Sequence, residues 1–379
     1  MIPFNKPHIT GKEIDYINDA LLSGKISGNG IYTKKCHDFF KLNYGFEKCL
    51  LTQSCTDALE MAAILCNIQP GDEVIVPSYT FVSTANAFSL RGAKIVFADS
   101  LPNHPNIDHD KIEELITSKT KVIVPVHYAG NACNMPKIMD LAKRYNIFVV
   151  EDAAQAFDAN FLNNDDTHQS LGTFGHLATF SFHETKNIIS GEGGMLVIND
   201  SALFERSEII WEKGTNRTAF YRGEVDKYGW VDIGSSFLPS EVTAAFLFAQ
   251  LEASHHIQLK RKEIWERYSK ELSDWLIENG FAFHDIPKYS DNNAHMFFIL
   301  AKNISVRDMF IKKLKEKGIL SVFHYQSLHK SLFMRNNNDN NCYNSDRYSQ
   351  CLIRLPIYAG LTYEEQSFII KTIKNLNFH

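Results

Sequence analysis

The chain has 379 residues, 44% of them hydrophobic and 22% charged, with 39 Lys and Arg against 44 Asp and Glu and a formal charge of −5. An apolar fraction of this size excludes a disordered or collagen-like chain, and the length suffices for two domains or one large domain with an appendage. The small acidic excess excludes a broad electropositive surface for DNA or anionic lipid, while leaving room for a local basic patch.

Residues 1–19 (MIPFNKPHITGKEIDYIND) lack the basic start and apolar centre of a signal peptide, and no apolar run reaches the roughly 18 residues needed to span a bilayer. A helical pattern at Thr56–Leu65 is followed by apolar runs at Glu73–Pro77 and Ala93–Asp99. Next come a helix at Asp110–Ile116, a strand at Lys121–Val126, a helix at Met135–Lys143 and a strand at Ile147–Asp152. Two further strands are expected at Ala178–Phe182 and Met195–Asn199, with a loop at Asn163–Ser170 (NNDDTHQS) before them. Continuous apolar runs of this length predict parallel strands buried on both faces, and their alternation with helices predicts an α/β domain.

The pattern changes near residue 245. Ala244–Ser273 reads as long helices with charged faces, followed by a linker at Ile286–Asn293 and a strand at His295–Leu300. A helix at Val306–Lys317, a strand at Leu320–Tyr325, an Asn-rich loop at Arg335–Asp346 and a last helix after Thr362 complete the chain. The expected division is a large α/β domain, residues 1–245, and a small α+β domain, residues 246–379. Seven cysteines (36, 49, 55, 66, 133, 342 and 351) form no C-x-x-C pair or metal-finger spacing, which suits reduced thiols of a cytosolic protein.

Three segments carry chemistry when taken together. In Leu51–Glu60 (LTQSCTDALE), either Ser54 or Thr56 can cap a helix whose free N–H groups and dipole favour an anion. In FVVEDAAQ, Asp152 stands at the carboxyl end of a strand, where open α/β sheets place their ligands. In FSFHETKNIISGEGG, Lys186 follows a strand and precedes Gly191, Gly193 and Gly194, which suit a tight backbone turn. His183-Glu184 begins like a zinc H-E-x-x-H helix, but position 187 is Asn, so the metal reading fails and no metal site is expected. An anion-binding helix start, a strand-end carboxylate and a later lysine are what pyridoxal 5'-phosphate requires. They would serve its phosphate, its ring nitrogen and its aldehyde. An aromatic from Pro77–Ala87, Phe81 above all, would stack on the ring.

The runs PGDEVIVPSYTFVSTANA, VEDAAQA, FSFHETKN and GEGG, with LRGAKIVFAD, VIVPVHYAG, EKGTNR, DIGSSF, NAHMF and VFHYQSLH, resemble the DegT/DnrJ/EryC1 family of sugar aminotransferases along nearly the whole chain. The resemblance implies an aspartate-aminotransferase-like fold of type I, with a mainly parallel seven-stranded sheet in the large domain. It implies a homodimer with shared sites and Lys186 as the lysine that bonds the cofactor aldehyde. It also implies cofactor contacts from Cys55, Thr56, Phe81, Asp152, Gln155 and Ser181. Relatives carry an Asn in a G-x-N-x-R run that reaches the partner's phosphate; here Ser236 takes its place and no Arg follows. Cys55 replaces the usual Gly of the phosphate turn, which implies that no positive φ is needed there. His183 either lines the sugar pocket or is a buried structural imidazole. His324, Tyr325 and His329 either touch substrate or form a packing cluster. Lys213 and Arg217 are candidates for the nucleotide's pyrophosphate, because a guanidinium forks onto phosphate oxygens.

The implied reaction moves an amino group from L-glutamate to C4 of dTDP-4-keto-6-deoxy-D-glucose. Its products are 2-oxoglutarate and dTDP-4-amino-4,6-dideoxy-D-galactose, made in the cytoplasm for a surface polysaccharide. The gluco epimer and C3 amination of a 3-keto isomer are the alternatives. A related sugar 3-dehydrase has His in place of the lysine, and position 186 is Lys, so aminotransfer is favoured. A nicotinamide-dependent oxidoreductase would need G-x-G-x-x-G after the first strand, and the amino-terminal region has none. A non-catalytic scaffold would have no need to keep Asp152, Lys186 and the glycine turn together.

Overall fold

Val74, Ile75 and Val76 are wholly buried, as a strand covered on both faces requires. They lie on the strand next to one edge of the large sheet in a computed structural model that describes residues 1–165, 167–283, 285–334 and 341–377. The strands are β1 (Lys48–Thr52), β2 (Glu73–Pro77), β3 (Lys94–Ala98), β4 (Thr120–Ile123), β5 (Phe148–Asp152), β6 (Leu177–Ser181) and β7 (Gly194–Ile198). Their spatial order is β1-β7-β6-β5-β4-β2-β3. The run from β3 to β6 is parallel, and β7 lies antiparallel between β6 and β1. This is the α/β, fold-type I arrangement that the sequence implies.

Alternate residues serve opposite faces of the sheet. Leu50, Val74, Val76, Val150 and Leu196 pack with the helix Cys55–Leu65, Phe88 and Trp211. Cys49, Leu51, Phe180 and Val197 pack instead with Phe40, Phe182 and Ala244. A second sheet of three antiparallel strands, Ala282–Phe283, Phe297–Leu300 and Leu352–Leu355, shares a core with the helices Ser254–Glu278, Ile304–Glu316 and Tyr363–Lys374. Ile2 joins that core, and its backbone bonds to Gly318 and Leu320.

Four expectations need correction. Asp110–Ile116 holds only a 3₁₀ turn at Glu113–Leu115; Glu113 turns outward to Arg144 and Tyr145, and so short a segment cannot offset the cost of helix nucleation. Leu320–Tyr325 forms no strand: Val322 makes one isolated bridge to Arg354, after which the chain turns inward with His324 and Tyr325. Within Asn163–Ser170, His168–Ser170 is a strand paired with Asn160–Leu162, whose other edge takes Ser290–Asp291 from the expected linker; position 166 lies outside the described residues. Within Arg335–Asp346, positions 335–340 lie outside them too, while a helix runs Tyr343–Cys351, its start tied to the Asp99 carboxylate by Asn344 and Ser345 N–H groups. The helices Glu13–Leu22 and Ile31–Tyr44 lie ahead of the first element expected from sequence. Among the described residues, no helix is long and apolar enough to cross a membrane.

Candidate active site

A cavity of about 640 Å³ opens at the carboxyl ends of β5 and β6. Its floor on one side is the start of the helix Cys55–Leu65. Ser54 is extended (φ −155°, ψ 163°) and its hydroxyl accepts the Asp57 N–H at 3.1 Å, so Ser54 is the cap. Thr56 instead meets the Ser83 hydroxyl at 2.8 Å. The N–H groups at the very start of a helix have no intrahelical acceptor, and here Ser54, Cys55 and Thr56 are among the residues that line the cavity. Cys55 does not have a positive φ, in keeping with its side chain being tolerated at this turn. Burial pushes its thiol pKa up, as does the nearby Asp152 carboxylate, so it is a neutral group.

Why glycine ends the GEGG run is a matter of space. A Cβ on Gly194 would lie 2.3 Å from the Ser54 carbonyl carbon and 2.4 Å from the Cys55 nitrogen. A Cβ on Gly193 would strike the Ser190 hydroxyl at 2.2 Å, whereas Gly191 is used for its φ of +81°. These residues fold back on the lysine segment through Phe182 N–H to Gly193 carbonyl (2.8 Å) and Glu184 N–H to Gly191 carbonyl (2.9 Å). The segment is braced from below as well. Asn187 donates to Gln258 and to the Asn293 carbonyl, and its own oxygen meets His295 Nδ1, each at 2.8 Å.

Lys186 and Asp152 open on the same cavity. Asp152 is 4% exposed, and burial raises its pKa against the opposing pull of two hydrogen bonds. These come from the Thr84 hydroxyl to Oδ2 (2.7 Å) and from the Ala154 N–H to Oδ1 (3.1 Å). Thr80 in turn holds Thr84 at 2.9 Å. Lys186 remains partly open to the cavity, yet the protein around it lowers its pKa, with Asp152 opposing the change. One group can therefore supply a neutral amine and the other can face a cation.

The remaining walls are aromatic. Gln155 accepts the Ala129 N–H (2.7 Å) and donates to the Tyr325 hydroxyl (2.9 Å), which fixes its amide orientation. Tyr128 bonds His324 Nδ1 at 2.6 Å, and the His324 and Tyr325 rings stack 3.5 Å apart. Phe81 is 55% exposed at the mouth, its ring 6.0 Å from that of Tyr325. His183 lies on the rim, accepting the Thr185 N–H at Nδ1 (3.2 Å), with Nε2 3.6 Å from Glu192.

Of the residues singled out from sequence, Cys55, Thr56, Phe81, Asp152, Gln155, Ser181, His183, Lys186, His324 and Tyr325 all line this cavity. Four do not. Ser236 is exposed, with its carbonyl held by Gln53 at 2.6 Å. Lys213 is an exposed turn residue at φ +65°, and Arg217 is exposed with its guanidinium on Tyr221. His329 is buried beneath Ser78 (2.6 Å) and beside Asp346, a packing role that needs no ligand. Sequence reasoning missed Thr84, the support of Asp152, and Arg354, a cavity residue on the strand Leu352–Leu355. A lone cation inside the apolar run CLIRLP was the available signal for Arg354.

Residues 7–374 match the family described as DegT/DnrJ/EryC1/StrS aminotransferases. The chain belongs to this family. It is accordingly an aminotransferase, and the sugar enzymes among its relatives mark it as a sugar aminotransferase. A GDP-perosamine synthase of Escherichia coli O157:H7 is 36% identical over 75% of each chain. An uncharacterized protein of Methanocaldococcus jannaschii is 30% identical over 99% of this chain and 97% of its own. Among solved structures, a candidate sugar aminotransferase of Streptococcus pneumoniae in its PMP form superposes with a TM-score of 0.89 at 26% identity, covering 99% of this chain and 98% of that one.

Proposed function

We propose that this aminotransferase uses pyridoxal 5'-phosphate to pass an amino group from L-glutamate to a nucleotide-linked keto sugar. The carrying observation is that Lys186 and Asp152 meet in one cavity beside an uncovered helix start. The residues fit the group: the turn at Gly194 leaves the helix start clear, and Asp152 keeps acceptor capacity beyond its two hydrogen bonds. When bound, the cofactor supplies an aldehyde that exchanges amino groups and a ring that accepts the released electron pair. The N–H groups of Cys55 and Thr56, with the Thr56 and Ser181 hydroxyls, would hold its phosphate. Asp152 would keep its ring nitrogen protonated, Phe81 would cover the ring, and Gln155 would bound it on the other flank. The Lys186 Nζ would hold the cofactor at rest and then carry a proton as general base and acid.

For the acceptor we favour dTDP-4-keto-6-deoxy-D-glucose, aminated at C4 to the galacto product for surface-polysaccharide synthesis in the cytoplasm. The kinship with GDP-perosamine synthase supports a second reading, in which the nucleotide is GDP. We also propose a homodimer, supported by the exposed apolar residues Tyr228, Trp230, Val231 and Ile233 that lead to Ser236. In that assembly Ser236, Lys213 and Arg217 would serve the partner's site, and the division near residue 245 would separate a cofactor domain from a smaller cover. Purified protein given the cofactor should turn yellow, and borohydride should fix the group on Lys186. A colourless protein, or full turnover by Lys186→Ala, overturns the reading. NMR of the products from matched dTDP and GDP keto sugars decides among base, position and configuration.

A further inference from the structure

We propose that His295 is a positioning residue for Lys186: its Nε2 accepts an Nζ–H of the lysine whenever that amine is not bonded to the cofactor, an inference that rests on the function proposed above. The tautomer follows from the hydrogen bonds. Asn187 donates from Nδ2 to the Asn293 carbonyl and to Gln258 Oε1, both at 2.8 Å. A backbone carbonyl only accepts, so the Asn187 amide oxygen is fixed as the atom 2.8 Å from His295 Nδ1. Nδ1 therefore carries the proton, and Nε2 of the neutral ring is a bare acceptor. Nε2 has no hydrogen-bond partner among the described residues, yet it is not sealed within the protein. His295 is 8% exposed and lines the cavity that holds Lys186.

The surroundings hold the ring rigidly and keep it neutral. Its backbone N–H donates to Asn293 Oδ1 (3.1 Å), and its carbonyl accepts Arg261 Nη2 (2.6 Å). Asn293 in turn donates to the Gln155 carbonyl (2.8 Å), so His295 shares one frame with Gln155 and, through Asn187, with the lysine segment. The preceding residue, Ala294, is wholly buried at φ +50°, a conformation that residues with a side chain rarely adopt and that persists where bonds such as Asn292 Oδ1 to its N–H (2.9 Å) impose it. Burial pushes the imidazole pKa well below 6.5, and the charges it feels, Lys186 first, then Arg261 and Arg354, are all positive and act in the same direction. So weak a base takes up no proton of its own, and what it offers the cavity is a lone pair. Arg261 already donates to the Ala294, Ile357 and His295 carbonyls, and Arg354 lies over the Phe4 ring. The long Lys186 side chain carries the movable donor. With one N–H held at Nε2, the Nζ lone pair keeps one direction instead of sweeping through the rotamers of the chain, as proton transfer by a general base requires.

The test uses the full chain, cofactor-free and loaded, with the variants His295→Asn and His295→Gln. An Asn amide replaces the Nδ1–H donor toward Asn187 and offers nothing at the Nε2 position, whereas a Gln amide oxygen reaches the Nε2 position and gives up the bond to Asn187. A merely structural role therefore spares the Asn variant, and a positioning role spares the Gln variant. In the cofactor-free protein, aldehyde labelling of Lys186 is followed against pH. Loss of the acceptor disfavours the ammonium, so the midpoint in His295→Asn should fall about one pH unit or more below wild type, while His295→Gln stays within about half a unit. In the loaded protein, single-turnover absorbance with L-glutamate should show a limiting rate roughly tenfold slower in His295→Asn, with the half-saturating concentration changed less than about twofold, and recovery in His295→Gln. A wild-type midpoint in His295→Asn overturns the inference, as does greater damage in His295→Gln than in His295→Asn. A wild-type protein that takes up no cofactor sinks the function proposed above, while the labelling, which needs no cofactor, still decides the role of His295.

Discussion

Gly194 offers a direct test of whether the helix start is the part of the cavity that matters. In Gly194→Ala the new methyl would sit 2.3 Å from the Ser54 carbonyl carbon, 2.4 Å from its oxygen and 2.4 Å from the Cys55 nitrogen. Carbon contacts normally settle at about 3.5 Å or more, so β7 and the helix start must part by about 1 Å. Because the struck atoms are backbone, no side-chain rotation relieves the clash. Overpacking of this kind costs about 1–3 kcal/mol, and a displacement of about 1 Å at a binding site is worth about 100-fold in function. Cofactor affinity should therefore fall by one to two orders of magnitude, by absorbance titration, while the protein still folds. Gly191→Ala is the control: nothing lies within 4 Å of its new methyl, and only the backbone preference at φ +81° is offended. If Gly194→Ala binds cofactor within twofold of wild type, the close approach does not position the site.

Two further outcomes are expected. Because burial disfavours the Lys186 ammonium, its neutral form should dominate from a lower pH than for an exposed lysine, near 10.5. Aldehyde labelling of Lys186 in the cofactor-free protein should thus reach half its maximal rate below that pH. Asp152→Asn removes a charge that opposes the shift and should move the midpoint lower still; a midpoint at or above 10.5 would contradict this. Glu241, 1% exposed, accepts N–H bonds from Gly30, Tyr32 and Thr33 at 2.9, 2.7 and 3.2 Å, and also bonds the Thr33 hydroxyl. Glu241→Ala leaves three buried N–H groups unpaired and should cost about 3 kcal/mol in denaturant unfolding. A loss under about 1 kcal/mol would mean that water replaces the carboxylate.

The sheet was legible because its strands are buried on both faces, which writes them as unbroken apolar runs such as VIV and FVV. The sites at strand ends and the glycine turn were legible for a related reason: polar residues placed directly after such runs stand out. What stayed hidden depends on distant partners. The strand at His168–Ser170 is polar, being held by backbone pairing to Asn160–Leu162 rather than by an apolar face. Leu320–Tyr325 has the composition of a strand but is drawn off the ladder by Tyr128 and Gln155, residues far away in sequence. Arg354 is a single charge in an apolar run, and only the assembled structure shows that it opens on the cavity and that its buried Nε has no hydrogen-bond partner among the described residues.

The strand-like segment around Ile2 has a consequence for the order of assembly during synthesis. Ile2 pairs with Gly318 and Leu320, Phe4 lies under Arg354, and Asn5 donates to the Glu184 carbonyl beside the lysine. Residues 2–5 are therefore made more than 300 positions before some of their partners leave the ribosome. The large sheet can form first from contacts between nearby segments, but this wall of the cavity waits for nearly the whole chain. A nascent or truncated protein that already holds the sheet would still lack this wall of the cavity.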